Sequence, residues 1–188
     1  MPNKHPTRRR FALAGAALAA TLAVSAGLSG CAGPTPADYA AEKPVLDLKT
    51  YFNGDLEAHG IFTDRSGKVA RRFIVQMTGS WNGNEGVLDE RFTYSDGQTE
   101  RRVWRLTDLG GGNWRGRADD VLGDAVGVAS GNALNWRYTL KLPVDGTVYE
   151  VQFDDWMYLM DDRVMLNKAV MSKFGIRLGE VTLSFIKK

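Results

Sequence analysis

Cys31 is the only cysteine of the 188-residue chain, and its two histidines are His5 and His59. One thiol forms no internal disulfide. A single histidine downstream of the N-terminal segment, with no cysteine beside it, falls short of the donor set of a zinc site, so no metal and no cofactor is expected. Serine catalysis would need His59 as its base, yet no Gly-x-Ser-x-Gly elbow is present. Gly110 to Gly112 are not followed by the Lys-Ser/Thr pair of a phosphate loop and read as a hairpin turn.

Carboxylates and guanidinium groups remain. The acid pairs Asp119-Asp120, Asp154-Asp155 and Asp161-Asp162 occupy adjacent positions, and neighbours on a strand point to opposite faces. No pair supplies two facing carboxylates while it stays in a strand, and Asp119, Asp120, Asp161 and Asp162 read as solvated turn residues. Four other charges fall in phase with apolar residues: Glu90 with Leu88, Phe92 and Tyr94; Arg102 with Trp104 and Leu106; Arg71 with Phe73, Val75 and Met77; and Asp155 with Tyr149, Val151, Phe153 and Met157. A buried charge without a partner costs several kcal/mol, so these groups require partners or cavity water. A turn at Ser95-Asp96-Gly97 would set Glu90 opposite Arg102 and Leu88 opposite Trp104. That pair reads either as an ion pair fixing strand register or as a polar anchor for an otherwise apolar ligand.

The elements that must position these groups are strands. From Tyr51 onward, alternating apolar and polar segments recur every ten to twelve positions, separated by turn residues such as Asp64 to Gly67, Asn82-Gly83, Asp96-Gly97 and Asp145-Gly146. Trp136, Tyr138, Leu140 and Leu142 share one face, while Asn135, Arg137, Thr139 and Lys141 share the other. The best strand cores are residues 55 to 62, 69 to 78, 86 to 95, 99 to 107, 132 to 142, 147 to 158, 163 to 171 and 177 to 186, within a total of eight to ten. So many sequential hairpins leave exposed edges unless the sheet closes. The expected fold is all-β, an antiparallel up-and-down barrel, closed or nearly closed and lipocalin-like, with a sandwich as the alternative. A transmembrane barrel does not suit outward faces this densely charged. The phase set by Phe153 and Asp155 turns Trp156 and Tyr158 outward, as a contact surface, a second sheet or a bulge would.

The N-terminus carries Lys4, Arg8, Arg9 and Arg10, then an apolar run from Phe11 to Leu28, as an export signal does. Leu28-Ser29-Gly30-Cys31 resembles a bacterial lipobox, which makes residues 1 to 30 a lipoprotein signal peptide and Cys31 the lipid-bearing first residue of the mature protein. The twin arginines leave twin-arginine and general export both open. Removing residues 1 to 30 takes away four basic residues and no acid, leaving 20 Lys plus Arg against 22 Asp plus Glu. The basicity therefore belongs to the signal, and nucleic acid is not an expected partner. Residues 31 to 44, rich in Ala, Pro, Gly and Thr, read as a flexible tether between lipid and barrel; residues 45 to 188 form the barrel domain.

Several stretches carry a family resemblance: Tyr51-Phe52-Asn53-Gly54, Asp64-Arg65-Ser66-Gly67, Asn135-Trp136-Arg137-Tyr138, Phe153-Asp154-Asp155-Trp156-Met157-Tyr158 and Leu178-Gly179-Glu180-Val181-Thr182. Together they resemble a proteobacterial lipoprotein family catalogued as a domain of unknown function, DUF3833-like, over essentially the whole mature domain. The resemblance implies a small envelope lipoprotein of lipocalin-like build and no catalytic residue.

The function expected is that of a lipoprotein at the periplasmic face of the outer membrane, with Ala32 in place of the Asp that retains lipoproteins in the inner membrane. Its membrane contact is the lipid on Cys31. Its barrel would bind a small hydrophobic or lipid-like ligand at Glu90, Arg102, Asp155 and Arg71, with Trp104, Trp136 and Tyr138 as aromatic lining. Two alternatives stay open: an enzyme with Glu90 or Asp155 as general acid or base, and an envelope interaction or assembly module that meets an unknown protein partner through Trp156 and Tyr158.

Overall fold

Inward positions on one long strand, Phe73, Val75, Met77, Gly79 and Trp81, alternate with outward residues that are polar except for Ile74, and the same period of two recurs around the molecule. The computed structural model describes residues 33–144 and 146–188. Its strands are β1 (Gly54–Asp64), β2 (Val69–Asn82), β3 (Glu85–Tyr94), β4 (Thr99–Gly110), β5 (Asn113–Arg117), β6 (Ala125–Ser130), β7 (Ala133–Val144), β8 (Thr147–Leu159), β9 (Val164–Lys173) and β10 (Ile176–Lys187). Each pairs antiparallel with the next, and β1 pairs with β10 from Leu56↔Lys187 to Asp64↔Gly179, closing the barrel. The sandwich alternative is excluded.

Two strands, β5 and β6, are absent from the sequence-based set of strand cores. Their inward positions include Gly116 and Gly127, so no run of bulky apolar residues marks the period. The missing volume comes from across the sheet. The Trp136 ring lies flat over both glycines, where an added Cβ would come within 2.5 Å at Gly116 and 2.4 Å at Gly127.

One end of the barrel is closed by the helical turn α1 (Leu48–Tyr51). Asp47 caps it by accepting a 2.7 Å hydrogen bond from the Thr50 amide, which satisfies a donor the short helix leaves free. Leu46, Leu48, Tyr51 and Phe52 are buried there, and Phe52 meets Phe185 edge-on at 6.0 Å. At the other terminus of the turn the Lys187 ammonium donates to the carbonyls of Thr50, Tyr51 and Asn53. A cation there suits the negative end of the helix dipole.

The expected flexible tether, 31 to 44, is corrected from Thr35 onward. Pro36–Tyr39 forms a 3-10 turn, with Asp38 accepting from the Thr35 amide at 2.7 Å. The Tyr39 ring packs on Trp156 at 5.5 Å and on Tyr158 at 5.3 Å, and the Leu46 amide donates to Gly131 at 2.8 Å. Gly131 sits at φ 55°, with the Tyr39 carbonyl where a side chain would begin. Composition made this stretch look featureless; one tyrosine and one glycine seat it. The signal segment, Cys31 and Ala32 lie outside the described residues.

Candidate functional site

Ten strands enclose more space than eight, whose interior side chains can nearly fill. Here the interior holds a cavity of about 920 Å³, running from Leu48 and Phe52 at the plug to Gln98, Glu100 and Asp120 at the open end. Its wall is mainly apolar, with Val75, Met77, Leu88, Leu140, Phe153 and Met171 among the lining residues. Aromatic rings panel one side. Trp104 stands edge-on to Trp136 at 5.7 Å and to Tyr138 at 5.4 Å, while Tyr138 stacks on Phe153 at 4.8 Å.

The hairpins β1–β2, β3–β4, β5–β6, β7–β8 and β9–β10 all turn at the open end, and a charged collar gathers there. Arg102 donates through Nε to Asp120 at 2.8 Å and through a terminal nitrogen to Glu100 at 3.1 Å. Glu100 also accepts from the Tyr94 hydroxyl at 2.7 Å. Arg71 lies 3.5 Å from the centre of the Tyr94 ring and pairs with Asp96 at 2.8 Å. Burial works against the Arg102 charge, but Asp120, Tyr138 and Glu90 outweigh it, so the guanidinium is held more firmly protonated than usual.

Below the collar lie two acids and an amide. Glu90, on β3, is 9 % exposed; Asp155, on β8, is 7 % exposed; Asn167, on β9, is 2 % exposed. All three line the cavity. The Asn167 amide donates to Asp155 and, at 3.2 Å, to the Trp156 carbonyl. Desolvation raises Glu90 to about 7, with Arg102 opposing the shift and Asp120 reinforcing it. Desolvation likewise raises Asp155 to about 7, against the hydrogen bond from Asn167. Burial also pushes the Tyr138 hydroxyl well above its ordinary range, with Asp155 adding to it.

Glu90 faces Arg102 in the strand register, and Leu88 faces Trp104, as the turn at Ser95 to Gly97 requires. The expected ion pair between them is not formed. The Arg102 guanidinium reaches toward the mouth instead, where Asp120 and Glu100 supply two carboxylates in more solvated surroundings. Asp120 is accordingly a structural partner and not the solvated turn residue it looked in sequence; Asp119 stays fully exposed. Arg71 belongs to the collar, above the deep acids. Tyr149, expected on the inner face, is 41 % exposed at the rim. Trp136, Tyr138 and Trp104 lie inside, as their phase directs.

Trp156 and Tyr158 do point away from the interior, but they are not a free surface. Tyr39 covers both, and its hydroxyl lies 3.3 Å from that of Tyr158. Trp156 is buried as a result. Sequence reading missed Asn167 and Asp120. The first had a signal, a polar residue in the inward series Met165, Asn167, Ala169, Met171; the second, in a loop, had none.

Among solved structures, the chain is similar to the S-type phycobiliprotein lyase CPES from Guillardia theta, with a TM-score of 0.55 and 4% sequence identity. The match covers 72% of this chain and 88% of that one. At that identity the likeness concerns the fold, a lipocalin-like barrel. No curated protein matches the sequence. A family model described as a protein of unknown function, DUF3833, matches residues 25–187, and over that span, nearly its whole length, the chain belongs to this family.

Proposed function

We propose that this protein is a lipid-anchored binding protein of the bacterial envelope, whose barrel takes up a small hydrophobic or lipid-like molecule through its open end. The observation that carries the reading is the cavity of about 920 Å³, plugged at one end and walled mainly by apolar and aromatic side chains. A space of that size and lining matches a ligand pocket, where apolar walls supply affinity and a few polar groups set orientation. The fold likeness to a phycobiliprotein lyase supports it, as a second barrel of this build on a protein that handles other molecules. The anchor rests on Leu28-Ser29-Gly30-Cys31, and attachment to the periplasmic face of the outer membrane on Ala32.

Two measurements test this. Cells given labelled palmitate should transfer label to the wild-type protein and not to Cys31→Ala, which should also leave the outer-membrane fraction. Native mass spectrometry of the full-length protein released from detergent should show an added mass of a few hundred daltons; a bare, fully packed barrel would sink the binding reading.

A second reading rests on Glu90 and Asp155, both brought to about 7 where a general acid or base works best. It expects Glu90→Gln to abolish turnover of the bound molecule without loss of binding. The partner-docking reading loses ground, because the aromatic face it needs is occupied by Tyr39.

A further inference from the structure

The polar groups of the cavity fall into two sets that differ in what they lack. In the collar the charged groups are paired, Arg102 with Asp120 and Glu100, Arg71 with Asp96 and Gln98, and Glu100 with Tyr94 as well, although Arg71 Nε and Asp120 Oδ1 are buried without a partner among the described residues. Deeper in, the groups are acceptors with too few donors. The Glu90 carboxylate has the Trp104 indole N–H as a donor but, among the described residues, no basic side chain within ion-pairing distance, since Arg102 is engaged elsewhere. Asp155 holds one amide donor, from Asn167. The carbonyl oxygen of that same amide, Asn167 Oδ1, is buried without a partner among the described residues. Buried acceptors left unmatched are costly, and a ligand that brings donors relieves that cost.

Charge points the same way. Ionised, Glu90 and Asp155 make the deep cavity negative, because Arg102, although its charge reaches Glu90, is paired with two other carboxylates, Asp120 and Glu100, at the mouth. Trp104, Tyr138 and Phe153 line the same cavity as these acids, and an aromatic face open to a cavity attracts cations and not anions. An anionic head group seated at that depth would meet two carboxylates. Among the described residues no three His, Cys, Asp or Glu side chains are grouped to hold a metal ion, so the size and lining suit an organic cation.

Resting on the cavity reading above, we infer that the molecule taken up is an amphipathic amine, its ammonium group seated between Glu90 and Asp155 and its hydrocarbon part directed along the apolar wall. Asn167 Oδ1 accepts a further N–H, and Trp104 and Tyr138 flank the head group. The site discriminates by pH. Glu90 is faced by Arg102 and Trp104 from β4, Tyr138 from β7, Asp155 from β8 and Asp120 from the β5–β6 loop; Asp155 is faced by Asn167 from β9, Tyr138 from β7 and its own neighbour Asp154. These surroundings leave both acids neutral in mild acid and charged in mild base, so the hold on an ammonium strengthens as pH rises.

The full-length protein in detergent-free vesicles or lipoprotein carrier is loaded with the neutral dye N-phenyl-1-naphthylamine, and three twelve-carbon probes compete for it: dodecylamine, dodecan-1-ol and laurate. At pH 8 dodecylamine should displace the dye at a concentration at least ten-fold below either of the others. At pH 5 that advantage should shrink to less than three-fold. Glu90→Gln and Asp155→Asn should each weaken dodecylamine about ten-fold at pH 8 and leave dodecan-1-ol unchanged, which also shows that the cavity is intact. Laurate matching or exceeding dodecylamine at pH 8 overturns the head-group inference while the dye still reports a working cavity. No dye uptake, with no probe bound, overturns the cavity reading and this inference with it.

Discussion

At the plugged end, Leu48, Tyr51 and Phe52 fill the barrel and the Lys187 ammonium closes over the carbonyls of α1, so that apolar contact and backbone hydrogen bonding coincide. At the mouth, Phe174 stands 89 % exposed at φ 51°, Ile176 and Val148 are bare, and the charges of the collar face solvent. One end is built to exclude water and the other to admit a molecule. Stability and ligand entry are thereby assigned to opposite ends of one sheet, with the deep acids lining the cavity between them.

The largest effect should come from removing the plug. Phe52→Ala takes a buried ring from against Phe185 and Tyr51, and a loss of about 3–5 kcal/mol in chemical denaturation is expected. A loss below ~1 kcal/mol would mean the closed end is not where the barrel is held.

The next effect belongs to the middle and has a sign that depends on pH. Glu90 binds its proton more tightly folded than unfolded, rising from 4.5 to about 7. Between those values the unfolded chain ionises first, so this group makes stability fall as pH rises, and the penalty is complete above about 7. Glu90→Gln removes it. The variant should match wild type near pH 4.5 and exceed it by about 3 kcal/mol at pH 8, less whatever cavity water screens. Equal pH profiles for the two proteins would show that Glu90 is already solvated, and the contrast between interior and mouth would weaken.

Tyr39→Ala tests the outer wall of the barrel near the plugged end. Loss of the ring from Trp156 and Tyr158 should cost about 1–2 kcal/mol and shift tryptophan emission to the red as Trp156 meets water. Dye uptake by the cavity should not change. Smallest of all is Phe174→Gly at the rim. Its side chain buries almost nothing, and glycine relieves a left-handed backbone, so a gain of no more than about 1 kcal/mol is expected.

Period two made most of the barrel legible, because long strands with one wet and one apolar face leave an unambiguous record in the residues. It also places Glu90, Arg102 and Asp155 on the inner face, where all three line the cavity. Alternation failed where an inward position is glycine and its volume is supplied by Trp136 from another strand, a debt no local window records. It failed too for the ion pairing of Arg102, since a long side chain chooses among partners in three dimensions while register names only the residue opposite. The docked segment from Thr35 to Pro44 was hidden for the same reason: Trp156 and Tyr158 share one face of β8, but only the fold brings Tyr39, more than a hundred residues earlier, against them.

The seam between β1 and β10 carries a consequence in time. Nine neighbouring pairs in the barrel are joined by short turns and can form as soon as both strands exist, but β1 has to wait until β10 is made, more than a hundred residues later. Until then its edge, with Leu56, Ala58 and Phe62 on one side, lacks its partner, and the Lys187 ammonium that covers α1 is not yet available. The wall and the floor therefore both depend on β10, and the barrel closes only when that last strand is in place.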